Sequence, residues 1–182
     1  YRAFDEDGSP VAIKEYLPEQ FARRATDVTV TPRSAGDEET YEKGLESYLV
    51  EARTLATFRH PHIVRLLDAD EEAVPPYLVL EYVQGRPLSD FAKADSLLPI
   101  PQVLDIAFKC GQALEHAQRQ GLVHRDIKPA NILLSDEGEV KLADFGAALS
   151  VRSEATQIAG LVGSPSYMSP EQVREEALTH HS

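Results

Sequence analysis

Apolar residues along this chain follow two spacings, and each spacing predicts a different secondary structure. Residues Tyr1–Phe4 and Val11–Glu15 flank a turn rich in Asp and Gly, which predicts a β-hairpin. Residues Thr40–Thr57 carry apolar side chains three and four positions apart, and so do residues Val103–Ala117. That spacing is typical of amphipathic helices, although Gly44 lowers the helix propensity of the first by about 1 kcal/mol relative to alanine.

Shorter segments complete the pattern. Short apolar runs predict four more strands, at 63–67, 77–83, 131–134 and 139–142. The acidic run 68–72 is interpreted as a solvated loop rather than a cation site. Residues Leu17–Glu39 are polar and interrupted by Pro and Gly, and they predict an irregular insert with at most one short helix.

Composition narrows the class of protein. The 182 residues are 42% hydrophobic and 26% charged, values typical of a soluble globular chain of about one domain. A formal net charge of −12 argues against binding to nucleic acid or to an anionic membrane surface. The lone Cys110 lies on the apolar stripe of the second helix, so it is expected to be a buried structural side chain. No apolar run approaches membrane-spanning length, and a cytoplasmic location is expected.

Candidate chemistry is concentrated in two polar segments near apolar strands. The first, residues 124–131, reads His-Arg-Asp-Ile-Lys-Pro-Ala-Asn, and the second is Asp144-Phe145-Gly146. A carboxylate and an amide from the first and a carboxylate from the second could converge on Mg²⁺, which prefers a few protein oxygens together with water and phosphate. Lys128 adds a positive charge for an anionic group. The combination points to phosphoryl transfer, in which catalysis is mostly positioning and charge neutralisation.

These segments make the chain resemble the protein kinases, and specifically the bacterial serine/threonine kinases of eukaryotic (Hanks) type. Val11-Ala12-Ile13-Lys14 matches the strand-three lysine motif, and residues 124–131 match the catalytic loop. Asp144-Phe145-Gly146 matches the magnesium motif, and Ser169-Pro170-Glu171 matches the end of the activation segment. The resemblance implies an α+β, two-lobed kinase fold: a small antiparallel sheet with one long helix, then a mainly helical lobe.

The resemblance also implies a role for each matching residue. Asp126 would be the catalytic base for a protein Ser or Thr hydroxyl. Asn131 and Asp144 would hold magnesium, with Mn²⁺ as an alternative metal. Lys128 would contact the γ-phosphate of ATP, and Lys14 would bind the α- and β-phosphates.

The expected ATP site has further members. Lys14 needs a carboxylate partner from the first long helix; Glu51 is the preferred candidate, with Glu46 and Glu42 as weaker alternatives. By the same resemblance, Leu80 would be the gatekeeper, and the backbone of Glu81 and Val83 would bind adenine. The base would be sandwiched between two apolar side chains, Ala12 and Leu133.

Regulation is expected in the activation segment, residues 144–171. Arg125 could pair with a phosphorylated residue there, and Thr156 is the preferred acceptor, with Ser153 as the alternative. Ser164 matches the residue that contacts the catalytic Asp and Lys. The resemblance also predicts a stacked column linking the lobes, formed by His124, Phe145, Leu55 and Leu66.

The chain is expected to be a fragment of the kinase domain. The Gly-rich loop that covers the ATP phosphates should precede Tyr1, and further helices of the lower lobe should follow Ser182. Residues 1–83 would then be the N-terminal lobe, with a hinge at about 81–85, and residues 84–182 the first part of the C-terminal lobe. Activity of the isolated fragment is not expected. Because Ala130 replaces an acidic residue, no preference for a basic substrate is predicted.

Two functional classes follow. The first is an ATP- and Mg²⁺-dependent protein serine/threonine kinase that acts on protein substrates and can phosphorylate itself in trans. The alternative is a pseudokinase or interaction module that binds nucleotide or protein partners without transfer. The presence of every phosphoryl-transfer residue favours the enzyme. A membrane tether elsewhere in the parent protein is left open.

Overall fold

The computed structural model of the chain describes residues 1–26, 29–93, 95–145, 149–150 and 164–174. These residues divide into two compact units. The first unit contains residues 1–57 and 65–82, and the second contains residues 58–64 and 83–182. The predicted lobe boundaries, 1–83 and 84–182, stay a prediction.

An antiparallel sheet of four strands organises the first unit. Numbered in chain order, its strands are β1 (Arg2–Phe4), β2 (Pro10–Glu15), β5 (Leu66–Asp70) and β6 (Tyr77–Glu81), arranged in the order β1-β2-β6-β5. A separate two-stranded ribbon is formed by β3 (Ala22–Thr26) and β4 (Thr29–Pro32). Val11 of β2 and Leu78 of β6 are buried, and burial of apolar side chains is the main stabilising contribution expected for such a sheet.

The long helix of the first unit is α1 (Glu38–Leu55). Two glutamates occupy its first turn, where the helix dipole favours negative charge. The apolar stripe predicted from the sequence buries Tyr48, Ala52 and Leu55. Tyr16, which follows β2, packs its ring 5.2 Å from Tyr41 and 5.3 Å from Tyr48, so the start of α1 and its middle are held against the strand by aromatic contacts.

The second unit combines helices with short sheets. The helices among its described residues are α2 (Ile100–Arg119) and α3 (Pro170–Val173). Its strands are β7 (Gly85–Pro87), β8 (Leu122–Val123), β9 (Ile132–Ser135), β10 (Val140–Leu142) and β11 (Leu149–Ser150). They form a three-stranded sheet ordered β10-β9-β7 and a pair, β11-β8.

Helix α2 supplies much of the buried surface of the second unit. Ile106, Cys110, Ala113 and Ala117 are buried on one face, so Cys110 is a core residue as its position on the stripe predicts. Gly121, with φ of 79°, follows the helix end in the left-handed conformation that glycine tolerates. Within the described part of the chain, no helix has both the length and the apolar character needed to cross a bilayer.

Two sequence predictions about the first unit were wrong. Residues 17–39 were expected to be irregular, yet they contain the ribbon β3–β4 and a single 3₁₀ turn at Ala35–Asp37. The strand expected at 63–67 is β5 and starts only at Leu66, so it includes the first three residues of the acidic run. A register shift between Leu66 and Asp68 accompanies the pairing of β5 with β6.

Candidate active site

The hairpin β9–β10 brings the two predicted metal ligands to the same end of a small sheet. Ile132 pairs with Leu142, and the Ala143 N–H donates to the Asn131 carbonyl at 2.8 Å. Asn131 directly precedes β9, and Asp144 follows β10. Because β9 and β10 are paired antiparallel strands, these two residues lie at the same end of the hairpin although they are 13 positions apart in sequence. Gly138, with φ of 85°, allows the tight turn that closes this hairpin.

His124 connects the catalytic loop to the segment after β10. The buried ring accepts a hydrogen bond from the Asp126 N–H at Nδ1, 3.3 Å away. Its Nε2 lies 3.2 Å from the Ala143 carbonyl and therefore carries the donated hydrogen. Burial lowers the pKa of His124, against opposing contributions from Ala143, Asp144 and Asp126, which agrees with a neutral ring. The Phe145 ring packs against it with centroids 4.5 Å apart.

Asp126 is the centre of a compact polar cluster. Its Oδ2 lies 2.7 Å from Lys128 Nζ and accepts a hydrogen bond from Asn131 Nδ2 at 3.0 Å. Its Oδ1 accepts from the Ser164 backbone N–H at 2.9 Å. Asn131 Nδ2 also donates to the Asp126 carbonyl at 2.9 Å. Lys128 Nζ further donates to Ser164 Oγ at 2.6 Å, so three of the predicted site residues surround the aspartate.

These partners keep Asp126 ionised although it is only 8% exposed. Burial raises the pKa of the carboxyl, but the hydrogen bonds from Lys128, Ser164 and Asn131, together with the charge of Lys128, outweigh it. The pKa of Asp126 is therefore lowered, because each of these partners stabilises the charged form. A buried carboxylate that is held charged and fixed in orientation can position a hydroxyl group and accept its proton.

The donor set at this site fits a hard divalent cation. The two hydrogen bonds of Asn131 Nδ2 engage its NH₂ group, so the amide oxygen Oδ1 would be the ligand atom. Asp144 is exposed and supplies carboxylate oxygens. One amide oxygen and one carboxylate suit Mg²⁺, which usually takes one or two protein ligands and completes its shell with water and phosphate. Among the described residues, no three His, Cys, Asp or Glu side chains gather as a metal site.

Lys14 lies on β2 of the first unit, where it pairs with Leu78 of β6. Its Nζ lies 5.9 Å from the centre of the Tyr48 ring on α1, and the Tyr48 hydroxyl donates to the Lys14 carbonyl at 2.6 Å. These contacts tie the lysine strand to the helix that carries its expected partner. Glu51 belongs to α1, but its side chain lies outside the described part of the structure. The Lys14–Glu51 pair stays a prediction.

The residues predicted to bind adenine are divided between the two units. Ala12 of β2 pairs with Leu80 of β6, so these two lie side by side in the sheet. The Glu81 N–H donates to the Arg65 carbonyl at 2.9 Å, and its Oε1 accepts from the Arg65 N–H at 2.9 Å. Val83 follows in the second unit, and Leu133 lies in β9. Their assignment to a nucleotide pocket stays a prediction.

The regulatory residues are described only in part. Arg125 has a left-handed backbone, with φ of 64°, and burial lowers the pKa of its guanidinium. Thr156 and Ser153 lie outside the described residues, and their phosphorylation stays a prediction. Ser164 contacts both Asp126 and Lys128, as the resemblance implies.

Gln172 contacts the catalytic loop and was not among the predicted site residues. Its Nε2 donates to the Arg125 carbonyl at 2.8 Å, and it forms a capping box with Ser169, the N-cap residue of α3. The pattern Ser-x-x-Gln at 169–172 is a capping-box signature in the sequence. The contact with Arg125 joins residues 47 positions apart, and local sequence carries no signal for it.

Comparison with known proteins identifies the family. Residues 19–182 match the protein kinase domain family. The serine/threonine-protein kinase PknB of Mycobacterium leprae is 39% identical over 138 residues, which are 72% of this chain and 22% of that protein. The serine/threonine-protein kinase PknA of Mycobacterium tuberculosis is 40% identical over 134 residues, which are 70% of this chain and 31% of that protein.

A solved structure shares the fold. It is described as the apo form of PpkA-294, and it superimposes with a TM-score of 0.73 and 30% sequence identity. The match covers 84% of this chain and 54% of that one. The predicted α+β kinase fold is confirmed, and so is the predicted family. The chain belongs to the protein kinase family, in its bacterial Hanks-type serine/threonine branch.

Proposed function

We propose that this chain carries the catalytic loop of an ATP-dependent protein kinase that phosphorylates Ser and Thr hydroxyls, with Asp126 as the base. The single observation that carries the proposal is the cluster on Asp126: its carboxylate accepts from Asn131 and from the Ser164 N–H and pairs with Lys128. The cluster also joins two distant parts of the chain, because Ser164, 38 positions from Asp126, binds both Asp126 and Lys128.

Each group of the cluster has a task in phosphoryl transfer. Such reactions need little covalent help from the protein, and positioning together with charge stabilisation supplies most of the catalysis. Asp126 would orient the acceptor hydroxyl and take its proton. Lys128, 22% exposed and beside that carboxylate, would stabilise negative charge on the transferred phosphoryl group. Ser164 would hold both side chains in place.

Protein kinases typically use ATP with Mg²⁺, and the donor set here supports this for the present chain. Asn131, through Oδ1, and Asp144 would hold the metal, and Mn²⁺ could replace it. When bound, the cation would neutralise phosphate charge. Lys14, paired with Glu51, would bind the α- and β-phosphates, and the backbone of Glu81 and Val83 would bind adenine between Ala12 and Leu133, beside the gatekeeper Leu80.

The chain spans about a fifth to a third of the length of the PknB and PknA relatives. Substrates and regulation are therefore proposed for the whole protein. The proposed substrate is a protein with a Ser or Thr acceptor. Self-phosphorylation in trans at Thr156 or Ser153 would create a partner for Arg125. Nucleic acid is not a proposed partner, because the net charge is −12. A cytoplasmic location and the hinge at 81–85 remain predictions.

Phosphate transfer by the full-length gene product tests this proposal. The protein is incubated with Mg²⁺-ATP and a generic protein substrate, and turnover is compared with that of Asp126→Asn. We expect turnover to fall by about 10²–10⁴-fold, the usual contribution of a general base. Asp105→Asn is the matched control, because Asp105 is exposed on α2, where it pairs with Lys109 at i,i+4, and its loss should leave the rate unchanged.

Two results would count against the proposal. Equal turnover by the wild type and Asp126→Asn would remove Asp126 from its role. A folded wild type that binds nucleotide but transfers no phosphate would favour the pseudokinase. Mass spectrometry of the phosphorylated protein also decides whether Thr156 or Ser153 is an acceptor.

A further inference from the structure

Gln172 uses both ends of its side-chain amide. The side chain is 8% exposed. Its Oε1 accepts from the Ser169 N–H at 3.0 Å, while its Nε2 donates to the Arg125 carbonyl at 2.8 Å. The Gln172 N–H in turn donates to Ser169 Oγ at 3.3 Å. One side chain thus closes the capping box of α3 and also reaches the catalytic loop.

The Arg125 carbonyl belongs to the same planar peptide group as the Asp126 N–H. That N–H donates to His124 Nδ1 at 3.3 Å. The peptide group leading into Asp126 is therefore held on its oxygen by Gln172 and on its nitrogen by His124. The residue before it, Arg125, has φ of 64°, a conformation that a residue other than glycine keeps only where its surroundings fix it.

The segment 164–174 consequently contacts Asp126 by two separate routes. Ser164 binds its carboxylate, and Gln172 binds the peptide group that precedes it. The capping box needs only the Oε1 acceptor, which glutamate provides equally well. The Nε2 donor, by contrast, serves only the catalytic loop.

We propose that Gln172 is a positioning residue, which sets the direction of the Asp126 side chain by holding the Arg125–Asp126 peptide group in place. The inference rests on the proposed kinase function. It makes the end of the activation segment a structural requirement for alignment of the base. Gln172 acts through the backbone and does not touch the reacting groups.

Gln172→Glu isolates the contact. Glutamate keeps the acceptor for the Ser169 N–H, and a negative charge in the first turn is favourable for α3, but the donor to Arg125 is lost. Ser169→Ala is the matched control, since it removes the Ser169 Oγ cap and leaves the amide of Gln172 able to bind Arg125. Both variants are made in the full-length gene product, and kcat, KM for ATP and Tm are measured.

We expect Gln172→Glu to lower kcat by roughly 10- to 100-fold, the scale of a small misplacement of a catalytic group, with KM for ATP almost unchanged. Tm should also fall, because one oxygen of the new carboxylate is buried beside the Arg125 carbonyl. Ser169→Ala should lower Tm slightly and leave kcat as it is. An unchanged kcat in Gln172→Glu would overturn the inference. So would an equal fall of kcat in both variants, because the helix cap would then be the cause.

Hydrogen exchange of the peptide 124–131 provides a readout that does not require activity. We expect the Asp126 amide to exchange on the order of tenfold faster in Gln172→Glu than in the wild type or in Ser169→Ala. If the wild type transfers no phosphate, the proposed function fails, yet the exchange rates still decide the inference. Identical exchange in all three proteins would contradict it.

Discussion

Two residues at the candidate site have backbones in the left-handed region, where side chains other than glycine are strained. They are Arg125, with φ of 64°, and Asp144, with φ of 60°. Such conformations cost on the order of 1–3 kcal/mol each and persist where neighbouring contacts hold them. Arg125 is held by Gln172, and the segment leading to Asp144 is held by the Ala143 contacts with Asn131 and His124. Arg125 directly precedes the proposed base Asp126, and Asp144 is itself a proposed metal ligand.

His60 lies beside two other histidines in the second unit. The His60 ring lies 5.2 Å from His116 and 5.5 Å from His62. His60 Nδ1 accepts a hydrogen bond from the His62 N–H at 3.2 Å, so protonation at Nδ1 would remove an acceptor. Burial lowers the pKa of His60, and the positive charges of His116, His62 and Lys141 lower it further.

We therefore predict that the chain loses stability as the pH falls below about 6.5, the ordinary pKa of histidine. The folded state holds His60 at a lower pKa, so the unfolded chain binds more protons in this range and stability rises with pH. Tm measured from pH 7 to pH 5 should fall, and His60→Asn should weaken that dependence. His124, whose pKa burial also lowers, accounts for part of what remains. An unchanged pH slope in His60→Asn would contradict the assignment.

At the scale of elements, the sequence predicted the helices and strands that depend on residues close together in the chain. The periodicity of apolar residues predicted α1 and α2, turn residues predicted the hairpin β1–β2, and short apolar runs predicted β9 and β10. Gly44 has a low helix propensity, but packing in the folded chain explains why α1 has a glycine at this position. A methyl group there would overlap the Tyr16 hydroxyl, which donates to the Tyr41 carbonyl at 2.9 Å.

The sequence did not predict elements or contacts that depend on distant partners. Strand β3 of the ribbon β3–β4 carries arginines where a half-buried strand would carry apolar side chains. The alternation of polar and apolar residues that predicts a strand is therefore missing from the sequence. Strand β5 takes its register from β6 and continues through acidic residues that indicate a loop by themselves. The motif at 124–131 located Asp126, Lys128 and Asn131, and the family resemblance of the activation segment predicted the contacts of Ser164 with Asp126 and Lys128. The Gln172 contact with Arg125 has no motif and appears only in the folded chain.

Gly85 provides a prediction for the sheet β10-β9-β7. It pairs with Ser135, and a Cβ at this position would lie 2.6 Å from the Ser135 Cα and would also overlap the Leu134 carbonyl. Because both obstacles are backbone, the strands would have to separate. Gly85→Ala should lower the free energy of unfolding by about 1–3 kcal/mol, the usual cost of overpacking. Urea denaturation measures this loss.

Gly111→Ala is the control for Gly85→Ala. It lies in α2, and a Cβ there meets nothing within 4 Å. Alanine should stabilise the helix by up to about 1 kcal/mol through its higher propensity. If Gly85→Ala were as stable as the wild type, the close approach of β7 to β9 would not be a constraint on the sheet.

At the scale of the whole molecule, charge is unbalanced. The 30 acidic residues exceed the 18 basic ones, and the described ion pairs are mostly on the surface, including Arg53–Glu71 and Arg119–Glu115. Exposed pairs contribute little, typically less than about 1 kcal/mol each. The unpaired excess of negative charge therefore dominates the long-range electrostatics and opposes the compact state.

We predict that moderate salt stabilises the 182-residue chain. Raising NaCl from about 10 mM to 150 mM shortens the Debye length from about 30 Å to about 8 Å, which screens the repulsion between distant carboxylates. Tm should rise by a few degrees, about the shift expected for 1 kcal/mol in a chain of this size. Glu137→Lys, in the exposed turn between β9 and β10, removes two units of negative charge and should reduce the rise. A Tm that falls with salt would show that attraction within the ion pairs outweighs the net repulsion.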